Sequence, residues 1–371
     1  MTAPLVRPVP TADPTRLAEA ERAAVRAAVE AVLTTGPLIG GPFVAAFEDA
    51  FAAYLGSRHC IGVDNGSDAL VLALQALGCV AGTEALVPAS DGGYAAAAAQ
   101  AAGLVPVAVD VSPENGLVSV AELERTCSPR VTAVVLTHLH GLAADVKPVV
   151  AWARQRGIVV VEDCAQATGA RRDGRPVGTF ADAAAFSFYP TKNLAAFGDG
   201  GAVVTDRADV AEQVRSLRQY GWSESFRITD SRGRNARLDA LQAAVLTARL
   251  PFLDHNNERR RAIARRYRAV LPPGNLLGPD DDSFVAHHAV VVTPNRDRLR
   301  EVLATHHVDA AVHYPWLIDE MPGIRLGAPA DLPNARAWRD RILSLPCFPT
   351  LEETEVDTVV SALAGWQAPV G

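Results

Sequence analysis

The amino-acid sequence predicts an α/β protein: a large unit on a mainly parallel seven-stranded sheet, followed by a smaller C-terminal α/β unit. Seven apolar, β-branched runs recur with helical stretches between them. These runs are continuously hydrophobic rather than alternating, as strands buried on both faces are. The character then changes near residue 255, where a long charged helix opens the remainder.

The runs in chain order are HCIGV (59–63), ALVPA (85–89), LVPVAVD (104–110), VTAVVLTH (131–138), GIVVVED (157–163), AAAFSFY (183–189) and GAVVT (201–205). Segments between them, such as SDALVLALQALG and DVKPVVAWARQRG, carry helical spacing and end at glycine. Only a loop separates the last two runs, which is compatible with one of them running antiparallel. From DHNNERRRAIARRYRAVL onward the pattern is helix, breaker (PPGN), strand (FVAHHAVVV), helix (RDRLREVLATHH), strand (VDAAVHYP) and a closing helix (ETEVDTVVSALAGW). The expected units are therefore 1–254 and 255–371. The arginine run at 259–266 reads as a solvated helix face.

Composition narrows the function. The chain has 371 residues, net charge −7 and half hydrophobic content, which argues against a nucleic-acid binder. No apolar run approaches the ~18 residues that span a bilayer, and MTAPLVRPVPTADPTR lacks a charged-then-apolar secretory pattern. Five scattered cysteines without metal-ligand spacing predict reduced thiols, a cytoplasmic setting and no bound metal; Cys164 is expected to serve packing.

Lysine occurs only at Lys147 and Lys192, so 35 − 2 = 33 of the Lys plus Arg residues are arginine. Arginine stays protonated and cannot attack a carbonyl. Lys192, in the glycine-flanked turn of FSFYPTKNLAAFGDGGAVV, is therefore a candidate nucleophile whose pKa desolvation could lower. Ligands of open parallel sheets bind beyond the carboxyl ends of the strands, and three further features fall there. VDNGSDAL sets Gly66 and Ser67 at a helix N-terminus, an anion site or an ordinary cap. VVVEDCAQATGA ends a strand at Glu162 and Asp163, with Gln166 three residues on; Asp163 could hold a protonated ring nitrogen or cap the strand end. SRGRNARLDALQAAVL brings Gly233, Asn235 and Arg237 before a helix, as a capped start or an anion-binding arm. Together with Ser187 these meet the needs of pyridoxal 5′-phosphate: a phosphate cradle, a carboxylate for the ring nitrogen and a Schiff-base lysine.

The blocks NGSDAL, EDCAQATGA, FSFYPTKNLAAFGDGGAVVT and GRNARLDALQAAVL resemble the DegT/DnrJ/EryC1/StrS sugar aminotransferases, from GPLIGGPFVAAFEDAFAAYLG to about Arg260 and more loosely beyond. The resemblance implies the aspartate aminotransferase-like fold type I of pyridoxal phosphate enzymes, and a homodimer with shared sites. It implies Lys192 as the Schiff-base lysine and proton shuttle, Asp163 on the pyridinium nitrogen and Gln166 on the ring hydroxyl. Gly66, Ser67 and Ser187 would hold the phosphate. Asn235 would reach the phosphate of the other subunit's cofactor, with Arg237 behind it. His313 and Tyr314, in the HYP block, are substrate-binding candidates. Gln166 resembles the subgroup acting on 3-keto sugars, with RQYGW and HYP similar to enzymes of amino-deoxyhexose synthesis. The implied reaction moves an amino group from L-glutamate to a dTDP-3-keto-deoxyhexose; the alternatives are a cyclitol ketone of the scyllo-inosose type or a 4-keto sugar. A sugar dehydratase would place histidine where Lys192 stands, and a non-catalytic regulator would have less use for Lys192, Asp163 and Gln166 together. Two departures stand out. PASDGGYAAA has glycine where the family stacks an aromatic on the pyridine, making Tyr94 the stacking candidate, and THLHG puts His140 in place of a tyrosine.

Overall fold

The computed structural model describes residues 8–366, so the first seven residues of the stretch read for a secretory pattern lie outside it. Seven strands form one sheet: β1 (His59–Val63), β2 (Glu84–Pro88), β3 (Val105–Val109), β4 (Val131–Thr137), β5 (Val159–Asp163), β6 (Ala183–Ser187) and β7 (Gly201–Thr205). Each lies within two residues of its apolar run. The order is β1-β7-β6-β5-β4-β2-β3. β7 runs antiparallel to both β1 and β6, while all other pairings are parallel. The β6–β7 connection, 188–200, contains no helix to carry the chain back across the sheet, and parallel returns are usually made through one. Helices cover both faces, and β2, β6 and β7 are buried along their whole length, which explains their lack of polar alternation. No helix among the described residues is long and apolar enough to cross a membrane.

Beyond the sheet, the charged helix runs Leu253–Arg268 and buries Asn256, Asn257, Arg260, Ile263 and Tyr267, so it is not solvated all round. The expected strand at FVAHHAVVV shortens to Ala289–Val292, and the helix Arg296–Thr305 and closing helix Glu353–Gly365 form as expected. The strand expected at VDAAVHYP (308–315) does not form. Ala289–Val292 pairs instead, antiparallel, with Ile342–Leu345, and 308–315 makes one isolated backbone bridge to that sheet, Ala311 opposite Ser344. The physical reason is that His313 and Tyr314 turn out of the sheet and into a cavity.

The end of β5 is held by a buried polar knot. Glu162 accepts hydrogen bonds from the backbone N–H groups of Gly178, Phe180 and Ala181 at 2.8–3.0 Å. His138 Nε2 lies 3.1 Å from its carboxyl, while His138 Nδ1 accepts from the N–H of Ala144, so Nε2 carries the ring proton. Successive strand residues face opposite sides; with Glu162 tied to one side, Asp163 is delivered to the other. Cys164, buried beside the knot, packs as expected. Removing the carboxyl would strand three buried N–H donors, so Glu162→Ala should lower stability by roughly 3 kcal/mol or more. An unchanged denaturation midpoint would contradict this.

Candidate active site

A cavity of about 850 Å³ opens at the carboxyl ends of β4, β5 and β6. Its lining includes Gly66, Ser67, Tyr94, Asp163, Gln166, Ser187, Lys192, His313 and Tyr314. Nine residues from five separate stretches of sequence thus meet in one place. Asn235 and Arg237 do not join them: Asn235 is exposed, and Arg237 lies over Tyr220, 5.7 Å from its ring centroid. A second cavity, about 840 Å³, contains no lysine or histidine.

The anion end is built by close approach. The helix Gly66–Ala76 starts directly after β1, capped by Asn65, whose side chain accepts from the N–H of Asp68 at 2.8 Å. A Cβ on Gly66 would lie 2.5 Å from Ser187 Cβ, so only glycine lets the free N–H groups of this helix end meet the Ser187 hydroxyl. Helix N-termini of this kind bind anions through those groups and the helix dipole.

At the other end, Lys192 projects between Asp163 and the histidines. Its amine has no hydrogen-bond partner among the described residues, and desolvation by the walls lowers its pKa from 10.5 to about 8 despite the opposing pull of Asp163. Burial raises the Asp163 carboxyl; the N–H of Ala165, bonded to Oδ1 at 3.0 Å, and the charge on Lys192 act against that rise. Asn193 pins the turn: its Nδ2 donates to Asn257 Oδ1 and to the carbonyl of Val285, and its Oδ1 lies 2.9 Å from His287 Nδ1. Burial pushes His140 down to about 3 and His313 to about 4, and lowers His287 and His288 as well. The imidazole wall beside Lys192 is therefore uncharged at neutral pH.

Several lining residues escaped the sequence reading. Arg234 pairs with Asp68 at 2.9 Å, one residue from the singled-out Asn235; the SRGRN segment was the signal. Asp91, His287 and His288 also line the cavity, but nothing in their local sequence marks them. His138, Glu162 and Cys164 are close enough to hold a metal ion, yet Glu162 and His138 are already engaged in the β5 knot.

The cavity fits pyridoxal phosphate. It offers an unbonded lysine amine, a carboxylate with one oxygen uncommitted, a helix N-terminus against a serine, and a buried, unpartnered Thr137 Oγ1 at the wall. Fold and site together define a pyridoxal phosphate-dependent aminotransferase of fold type I. The family profile of the DegT/DnrJ/EryC1/StrS aminotransferases matches residues 19–364, and the chain belongs to that family. It is 40% identical over 355 residues to a dTDP-3-amino-3,4,6-trideoxy-alpha-D-glucose transaminase of Micromonospora megalomicea subsp. nigra, covering 93% of this chain and 95% of that one. The crystal structure of DesV of S. venezuelae, in complex with a ketimine intermediate, superposes with a TM-score of 0.91 at 39% identity, covering 97% and 98% of the two chains. NtdA of Bacillus subtilis, with bound cofactor PMP, superposes at a TM-score of 0.87 and 27% identity, covering 94% and 82%.

Because only a neutral amine attacks an aldehyde, the rate at which the apo-protein takes up pyridoxal phosphate should rise with pH through a midpoint near 8. Stopped-flow absorbance measures this; a rate still climbing toward 10.5, the ordinary lysine value, would contradict the lowered pKa.

Proposed function

We propose that the protein transfers the amino group of L-glutamate to the keto carbon of a dTDP-3-keto-deoxyhexose. The observation that carries the transfer chemistry is Lys192, an unbonded amine depressed to about 8, sharing a cavity with Asp163. Support for the sugar comes from the relative named as a dTDP-3-amino sugar transaminase and from glutamine at position 166.

Bound pyridoxal phosphate supplies an electron sink for charge that develops at the carbon losing its proton. Lys192 would hold the cofactor's aldehyde carbon, and its free amine would take the proton from the donor's Cα. Asp163 keeps the ring nitrogen protonated. Gly66, Ser67 and Ser187 bind the phosphate, and Gln166 holds the ring hydroxyl. Tyr94 stands at the cavity mouth, 52% exposed, as the residue that would stack on the cofactor ring; His313 and Tyr314, the substrate-binding candidates, line the same cavity. The neutral histidine wall adds no positive charge to compete for the glutamate carboxylates. Residues 1–254 form the cofactor-binding unit and 255–371 the smaller one. Asn235 and Arg237, outside the cavity of their own chain, serve that of a second copy in a homodimer. The exposed apolar side chains Leu38, Ile39 and Phe197 support such an interface. The enzyme works in the cytoplasm, with its thiols reduced.

The test supplies glutamate with dTDP-3-keto and 4-keto sugars and scyllo-inosose, and follows 2-oxoglutarate. Amination of the 3-keto sugar is expected, with a loss of ~10³-fold or more in Lys192→Ala; preference for another ketone would overturn the substrate. For the shared site, Lys192→Ala and Asn235→Ala should each be impaired, and mixing the two should restore activity through mixed dimers that hold one intact site. No recovery on mixing would count against a shared site.

A further inference from the structure

Gln166 cannot be flipped. Its side chain lies 2.6 Å from the backbone N–H of His140, which can only donate, so that atom is the amide oxygen. The other amide atom is then Nε2, and it donates to Tyr314 Oη at 2.9 Å. Tyr314 Oη therefore accepts here, and its own proton has no acceptor among the described residues. Nε2 likewise keeps one hydrogen free. Two unspent donors stand 2.9 Å apart at the wall of one cavity.

The tyrosine is held there by what the neighbouring loop lacks. Gly92 has φ +82, and a Cβ on it would come within 3.0 Å of both the Tyr94 and Tyr314 rings. Those rings meet edge to face, 5.8 Å between centroids and 74° between planes. Tyr314 thus fills the space over Gly92 that a side chain at 92 would claim. Burial first, and then Tyr94, Asp91 and Asp163, push its hydroxyl well above the ordinary tyrosine value. It stays protonated and can act only as a donor toward an anionic oxygen.

We propose that Tyr314 is a second hydrogen-bond donor, beside Gln166, to the ring oxygen of pyridoxal phosphate. This rests on the cofactor reading above, which sets that oxygen at Gln166. Two donors spread the oxygen's negative charge and so weaken its pull on the proton of the neighbouring lysine-linked nitrogen. With Tyr314 in place, that nitrogen gives up its proton at lower pH.

The loaded protein is titrated by its visible absorbance. Tyr314→Phe keeps the ring and removes the donor; the midpoint should rise by about one pH unit. Tyr94→Phe, which removes a hydroxyl not bonded to Gln166, should leave it in place. The groups facing Tyr314 and Lys192 are Asp91, Asp163, Tyr94, His287, His288 and His313, and they are common to wild type and Tyr314→Phe. Asp91, pushed up to about 7 by burial, therefore titrates in both and drops out of that comparison. An unmoved midpoint in Tyr314→Phe, or an equal shift in both variants, overturns the proposal. Borohydride reduction and peptide mass analysis provide the separate check. Cofactor fixed on Lys192 with no shift overturns the tyrosine's role alone, whereas no fixation in wild type overturns the cofactor reading and the proposal with it.

Discussion

The carboxyl of Glu162 takes three backbone amides and an imidazole into one buried knot, and the rest of the cleft is arranged from there. With that side chain committed to one face, strand geometry leaves Asp163 no alternative but the other. His138 extends the constraint: its backbone N–H bonds the carbonyl of Asp163, and its ring ties in Ala144. A carboxyl group near a lysine in a partly apolar cavity would otherwise be free to swing into a simple ion pair. Here its position is set by the sheet before any ligand arrives, which is the preorganisation that a ring-nitrogen partner requires.

A second set of contacts fixes the lysine. Asn193, next in the chain, is bonded to Asn257, Val285 and His287, all from the C-terminal third. Arg260, buried in the same helix as Asn257, donates to the carbonyls of His287 and Cys347. The catalytic turn is therefore supported from behind by elements far away in sequence. Burial, not a nearby cation, lowers the pKa of its amine, because the surrounding imidazoles are themselves held neutral. Lys192 and Asp163 are both pushed toward their uncharged forms, a state suited to receiving an aldehyde.

Much of this was legible in the sequence, for definite physical reasons. Seven strands buried on both faces must be apolar throughout, so each showed as a run such as VVVED or GAVVT. The reversal at β7 was compatible with a connection, 188–200, that carries no crossover helix. Gly66, Asp163, Ser187 and Lys192 lie at or just beyond strand ends, where residue type and position together reveal chemistry. The small sheet was hidden because ILSL is only four residues long, whereas VDAAV has strand composition without strand pairing. Asp91, His287, His288 and the Gly92–Tyr314 contact were also hidden. They gain meaning only when residues more than two hundred positions apart come together, and no local pattern encodes that. Asn235 and Arg237 stood out as a polar arm, and neither lines the cavity of its own chain.

Ser344 sits in the middle of the short strand Ile342–Leu345, remote from the cleft in sequence. It exchanges backbone hydrogen bonds with Ala311, and its hydroxyl lies 2.9 Å from His313 Nδ1. One small side chain in a plain strand thus anchors the segment that carries both His313 and Tyr314 into the cavity. Selection acting at Ser344 would re-aim His313 without altering Lys192, Asp163 or the anion end at Gly66 and Ser187. That gives the lineage a route to new sugar acceptors that leaves the transamination chemistry intact, and gives the engineer a place to begin.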